Sequence, residues 1–264
     1  MFRFGSDAAK TAVEFVPGDD AREWIAQGLA QHANRLGLLG AKPQLIVDPM
    51  GKGHVPRDLD GLFDLMCGVQ EEIGQEDVEF TLLEIGESAP RLPDGFAPLG
   101  DPTGQMLHGF HRDGEYVLLF SPGVFRVPQL LFASVARELG RIAIHLKGGH
   151  ETSVEPPDFE ADAELASVVL GMGVWVANGA YVYENACCGG GCGIDLKSLR
   201  AGLSMPEAVL ALALDGHRKG LSRRAIGKHL EPTQRAAFKK NWSAAAGQQL
   251  PMLGAASNRG ELGA

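Results

Sequence analysis

The sequence predicts an α+β fold, and three observations carry that expectation. Alternating, strand-like runs fall in the first half of the chain, and helical periodicities fill the second half. Between two apolar runs at 106–120 stands Asp113-Gly114, the dipeptide that favours a tight hairpin turn. No repeat and no linker-like stretch interrupts the 264 residues, so one domain over 1–247 is expected, with a flexible tail at 248–264.

Taken in order, residues 19–36 place apolar side chains at helical spacing, with Asp19 or Asp20 as cap and Gly37 and Gly40 closing the helix. Residues 43–47 read as a short strand ended by Asp48-Pro49. A second helix is expected over 58–73, through Leu62, Phe63, Leu65, Met66 and Val69, with Cys67 in it as a small buried hydrophobe. Residues 78–85 alternate as a strand, and 86–103, rich in Pro, Gly and Asp, read as an exposed loop. The hairpin follows, ended by Ser121-Pro122-Gly123, then a long helix from about 128 to 146 that Gly148-Gly149 stops. Further helices are expected over 159–177, 204–214, 221–229 and 232–246. The whole is a small, mostly antiparallel sheet packed on a helical C-terminal half.

A hydrophobic content of 45% with 22% charged residues is that of a globular protein and excludes global disorder. No apolar run reads as long enough for a bilayer, and the first ten residues lack the apolar core of a secretory signal. A cytoplasmic protein without membrane association is expected. Cys187, Cys188 and Cys192 cluster as C-C-G-G-G-C, but the spacing is not C-x-x-C and no fourth ligand lies nearby. Exposed thiols are the favoured reading there, and zinc or redox chemistry the lesser one. His108 and His111, three apart on a strand, point to opposite faces and so are read as surface or cross-strand packing rather than a metal pair. Neither His150 nor the short G-K-G at 51–53 carries a specific signal. With a net charge of −9, nucleic acid is not an expected partner. The charge is uneven, however: residues 217–242 hold eight basic side chains against Glu231 alone, a local +7 that leaves −16 elsewhere. That segment is either a solvated helix surface or an interaction module.

The long helix carries a core stripe of Leu131, Val135, Leu139, Ile142 and Leu146, with Arg137, Glu138, Arg141 and His145 on another face. The next helix is apolar from 168 to 177, yet its first turns carry Glu160 and Glu164 four residues apart. Like charges at that spacing weaken a helix, and burying them unpaired costs far more. Arg137 and Arg141, themselves one turn apart, are expected to face the two glutamates, in part through bidentate pairs.

The strings A-R-E-L-G-R-I-A-I-H (136–145), L-G-M-G-V-W-V-A-N (170–178), 202–214 and K-H-L-E-P (228–232) now bring a family into view. The chain resembles the zincin metallopeptidases of the gluzincin type, including bacterial ImmA/IrrE-like proteins, in which H-E-L-G-H precedes a helix with a glutamate ligand. It is more similar still to a group of uncharacterised bacterial proteins that pair H-E-L-G-H with L-G-L-G-x-F-x-A-N. The resemblance spans residues 40–245, and 133–178 is its specific part. It implies a zincin-like single domain. Glu138 falls at the catalytic glutamate, Glu160 at the third metal ligand and Glu164 at the outer-shell acid. His145 falls at a histidine that follows the motif without binding metal.

Arg137 and Arg141 stand where the two zinc-binding histidines belong. Arginine stays protonated and offers no lone pair, so the resemblance implies a degenerate motif in which no metal cofactor is expected. Two guanidinium groups in place of a dication keep the formal charge sum. The function expected is that of a pseudo-enzyme binding a peptide or protein partner along the old substrate cleft. The alternative is an active hydrolase with a non-standard zinc site built from Glu138, His145 and Glu160, or one using the cysteine cluster.

Overall fold

The structure, a computed structural model, describes residues 15–51, 53–85, 92, 94–148, 159–184 and 199–246. Within them the α+β class holds, with a small mixed sheet and helices dominating the C-terminal half. Helix α1 (Asp19–Arg35) starts after Gly18, which has no side chain to cap it. Asp19 and Asp20 instead sit in the first turn, where carboxylates meet the positive end of the helix dipole. Helix α2 (Leu59–Ile73) is capped by Asp58, whose Oδ1 accepts from Gly61 N at 2.9 Å, and closes on Gly74 in the left-handed region.

The sheet is ordered β1 (Phe80–Glu84), β4 (Glu115–Phe120), β3 (Leu107–Arg112), β2 (Ala97–Pro98). Only β1 against β4 is parallel; the other two pairings are antiparallel. The β3–β4 turn uses Asp113 and Gly114, both at positive φ (50° and 90°), as a primed hairpin turn requires. Two expectations fail here. Strand β2 lies inside the stretch read as a loop, and residues 43–47 form no strand. Their backbone is held otherwise: Ile46 N donates to Gly171 O at 2.9 Å, so a helix break rather than a neighbouring strand is its partner.

Helix α3 (Pro128–Leu146) has the expected bounds. Beyond it, the helix expected over 159–177 is three pieces: α4 (Phe159–Ser167), a π turn at Val168–Met172, and α5 (Gly173–Glu184). The break sits at Gly171, at φ 108°, where a Cβ would lie 3.1 Å from Gln44 O. Lys219 Nζ closes this junction from the far side, donating to Gln44 O at 3.2 Å and Val168 O at 3.4 Å. Counted through the break, Phe159–Val182 makes 24 residues apolar enough to cross a bilayer, contrary to the expectation that no run was long enough. Its most apolar window is 83% buried inside the protein, so its apolar surface is used by the core.

Helix α6 (Met205–Arg218) opens on a capping box between Ser204 and Glu207. Helices α7 (Arg223–Gly227) and α8 (Pro232–Ala245) follow, α7 shorter than the sequence suggested. The L-G-M-G-V-W-V-A-N string proves to be a docking strip. Gly171 and Trp175 hold the 46–47 backbone, and Asn178 takes His229 O and Glu231 N, both at 3.1 Å.

The core closes around α3, which packs on β3 from one side and on α4 and α5 from the other. Both the apolar stripe and the charged face of this helix are therefore interior, except at its C-terminal end. Arg137, Glu138 and Arg141 are as buried as Leu131 and Leu139, while Leu146, placed in the stripe, is 46% exposed. Cys67 is half-buried rather than buried; desolvation, then Asp64 and Glu71, push its thiol above the ordinary value. The expected tail at 248–264, His150, and Cys187, Cys188 and Cys192 lie outside the described residues.

Candidate functional site

Close contact between α3 and α4 builds the site, and a glycine permits it. A Cβ at Gly140 would stand 2.3 Å from Ser167 Oγ and 2.4 Å from Ala163 O, so only glycine fits at this crossing. Ser167 Oγ, 2.6 Å from Ala136 O and 2.7 Å from Ala163 O, joins the helices directly. With the axes this near, Arg137, Glu138 and Arg141 of α3 meet Glu160 and Glu164 of α4 in the interior, none of the five more than 7% exposed.

The expected charge cluster forms, though its geometry differs from a fork-to-fork pair. Arg137 aims Nε (2.9 Å) and Nη2 at the same oxygen of Glu164, Oε1. The other oxygen, Oε2, accepts from Leu203 N at 2.7 Å, and Gly202 N reaches Oε1 at 3.2 Å. Arg137 Nη1 donates to Arg200 O at 3.1 Å and to Gln105 Oε1. Arg141 pairs with Glu138 at 3.3 Å, gives Nη1 to Leu99 O at 3.0 Å and stands 3.9 Å from Glu160 Oε1. Gly109 N completes Glu138, donating to Oε2 at 2.8 Å. Desolvating an ion costs several kcal/mol, which explains why backbone N–H groups supplement the pairs. Three carboxylates against two guanidinium groups leave one negative charge over. Glu160 is the least compensated: among the described residues its buried Oε1 has no hydrogen-bond donor, and Arg141 Nη2 is likewise unpaired.

One neighbour was misplaced by sequence reasoning. His108, read as surface or cross-strand packing, is 3% exposed, and its Nδ1 lies 3.9 Å from Glu138 Oε1. Both ring nitrogens are buried without a hydrogen-bond partner. Burial pushes its imidazole below the ordinary 6.5; Arg141 and Arg137 act the same way, while Glu138 and Asp101 oppose them. The signal that points to it is the next residue, since a glycine inside a strand marks close backbone approach. A Cβ at Gly109 would lie 3.1 Å from Glu138 Oε2.

His145 turns away from the glutamates. Its Nδ1 lies 2.9 Å from Tyr116 Oη, and its ring packs on His111 at 4.1 Å between centroids. Glu138, His145 and Glu160 are therefore not brought together, and among the described residues no three His, Cys, Asp or Glu side chains converge as metal ligands. Beside the cluster a cleft of about 450 Å³ is lined by Pro98, Leu99, Gly100, Asp101, His111, His145 and Phe159. Gly100 forms the wall between cleft and cluster; at φ 138°, its position would put a Cβ 2.2 Å from Arg141 Nη1. The sheet edge here is β2, two residues long with Pro98 as one of them, so it offers little backbone ladder to an added strand.

The basic 217–242 segment divides in two. Arg218 and Lys219 are internal partners of Asp215, at 2.6 and 2.7 Å, and Lys240 lies over the Phe15 ring. Arg223, Arg224, Lys228 and Lys239 are exposed.

Fold and site together define an α+β protein whose central helix carries a buried arginine–glutamate cluster beside a cleft. Compared with protein-family models, with curated proteins and with solved structures, the chain matches none.

Proposed function

We propose that this chain is a catalytically inactive, metallopeptidase-like protein of the bacterial cytoplasm that acts by holding a peptide or protein segment. The observation that supports this reading is the occupancy of the motif. Two arginines at the histidine positions fill the space between Glu138, Glu160 and Glu164 with fixed positive charge, the role a metal would otherwise take. Because no protonated guanidinium activates water as a bound metal does, hydrolysis is lost while the adjoining cleft remains. The short β2 edge makes side-chain contacts in that cleft, at Leu99, Asp101, His111 and His145, the source of affinity, more than backbone pairing.

Metal analysis of protein purified without a histidine tag, with melting curves in the presence and absence of EDTA, tests the reading. No stoichiometric zinc and an unchanged melting temperature are expected. One zinc per chain held by Glu138 and Glu160, or a large fall on chelation, overturns it. Peptide-array binding that weakens in Asp101→Ala and His111→Ala tests the cleft, and binding indifferent to both substitutions removes it as the holding site.

A further inference from the structure

Two surfaces of this chain carry opposite charge that is uncompensated among the described residues. Between α7 and α8 runs a groove of about 430 Å³ lined by Arg223, Arg224, Lys228, Arg235 and Lys239, with Gly227 and Phe238 as its other walls and no carboxylate among its lining. Arg235 is engaged with Leu230 O at 2.7 Å, but the other four cations are exposed and form no ion pair among the described residues. Elsewhere, residues 58–85, which contain α2 and β1, hold nine acidic side chains and no basic one. All nine are exposed, and none forms an ion pair among the described residues. Amid these carboxylates Phe63 is 45% exposed and packs on Phe80 at 5.3 Å. The two rings line a cavity of about 540 Å³ that Glu76, Glu79 and Glu115 also border.

Carboxylates around a half-exposed aromatic pair are what an arginine-rich surface binds. The guanidinium fork matches a carboxylate, its flat face stacks on a ring, and the aliphatic stems of Arg and Lys cover apolar area. The groove lacks what a nucleic acid would need. Its one aromatic, Phe238, is 1% exposed and offers no face for a base, and the −16 carried by the rest of the chain repels a long polyanion.

We propose that the α7–α8 groove docks the acidic α2–β1 face of a second copy of this chain, so that the protein self-associates head to tail. Because the two surfaces differ, the contact is heterologous, and copies add as a ring or an open chain rather than as a twofold dimer. Net charge of −9 per copy opposes approach at long range. Within the Debye length, about 10 Å at 0.1 M salt, local complementarity dominates. The association is therefore weak and salt-sensitive.

Sedimentation velocity over a concentration series, at about 0.1 M salt, where the Debye length is about 10 Å, and in molar salt, reads the proposal directly. Concentration-dependent species larger than a monomer are expected at the lower salt and lost at the higher. Lys228→Glu with Lys239→Glu, and separately Asp64→Lys with Glu71→Lys, are each expected to weaken association at least tenfold. All four sites are exposed, so the melting temperature is expected to stay unchanged. Mixing the two reversed variants restores association, because each retains the surface the other lost. A wild type that stays monomeric at every concentration overturns the proposal. So do association that neither reversal weakens, a mixture that remains monomeric, and a monomer that binds a polyphosphate through Lys228 and Lys239 instead.

Discussion

Arg141 shows how far a single side chain sets the terms of this structure. Fully buried, it is held by Glu138, Leu99 O and, more distantly, Glu160. Its truncation leaves two interior carboxylates facing each other without a cation. Arg141→Ala is expected to cost about 3–5 kcal/mol in urea unfolding, and Arg137→Ala a similar amount through Glu164. A loss within the range of an exposed ion pair, below about 1 kcal/mol, would mean that water enters the cluster. His108 makes a second prediction at this scale. Its folded pKa lies below the ordinary 6.5, so below that pH the unfolded chain takes up a proton that the folded chain refuses. Its contribution is therefore fully present above 6.5 and is lost as pH falls from there through the lowered folded value. His108→Phe is expected to flatten this part of the stability–pH curve, read as the difference between variant and wild-type urea midpoints across mildly acid pH. Identical slopes would show that His108 does not bear this proton.

Between elements, close approach decides which residues meet. Glycine at 140 lets α3 and α4 touch, and Gly140→Ala is expected to destabilise by about 1–3 kcal/mol, since the clash is with the Ala163 backbone as well as the Ser167 hydroxyl. A circular-dichroism melt checks it; an unchanged midpoint would mean the helices separate freely. Asp215 of α6 holds the buried cations of Arg218 and Lys219, the latter closing the π turn, so Asp215→Asn is expected to loosen the α4–α5 junction as well as α6. Most elements were legible locally, because caps, glycine stops and periodicity act within a few residues: Asp58 for α2, Asp113-Gly114 for the hairpin, Pro128 for α3. Two were not. Residues 43–47 have strand composition but find their partner at Gly171, over a hundred residues on. The π turn arises where Gly171 must leave the helix to receive that same segment, and nothing within 159–177 encodes the visitor.

At the scale of the molecule, α3 contacts the sheet, α4 and α5 at once, so cluster and core are one body. Intrinsic fluorescence, to which Trp24 of α1, Trp175 of α5 beside Phe132, and Trp242 of α8 all contribute, is expected to lose its native signal in the same transition as far-UV circular dichroism. Separate midpoints would divide the single domain that the sequence implies. Sequence alone determined the α+β class, the bounds of α3, and the charge logic that two glutamates four apart need two arginines. Each of these follows from residue type at fixed spacing along one or two elements. Only the tertiary structure decided that both faces of α3 are buried, that His145 faces the sheet, that His108 lies against Glu138, and that the acidic and basic surfaces remain unpaired among the described residues. These depend on which distant backbone comes to lie beside a given side chain, and distance along the chain carries no record of that.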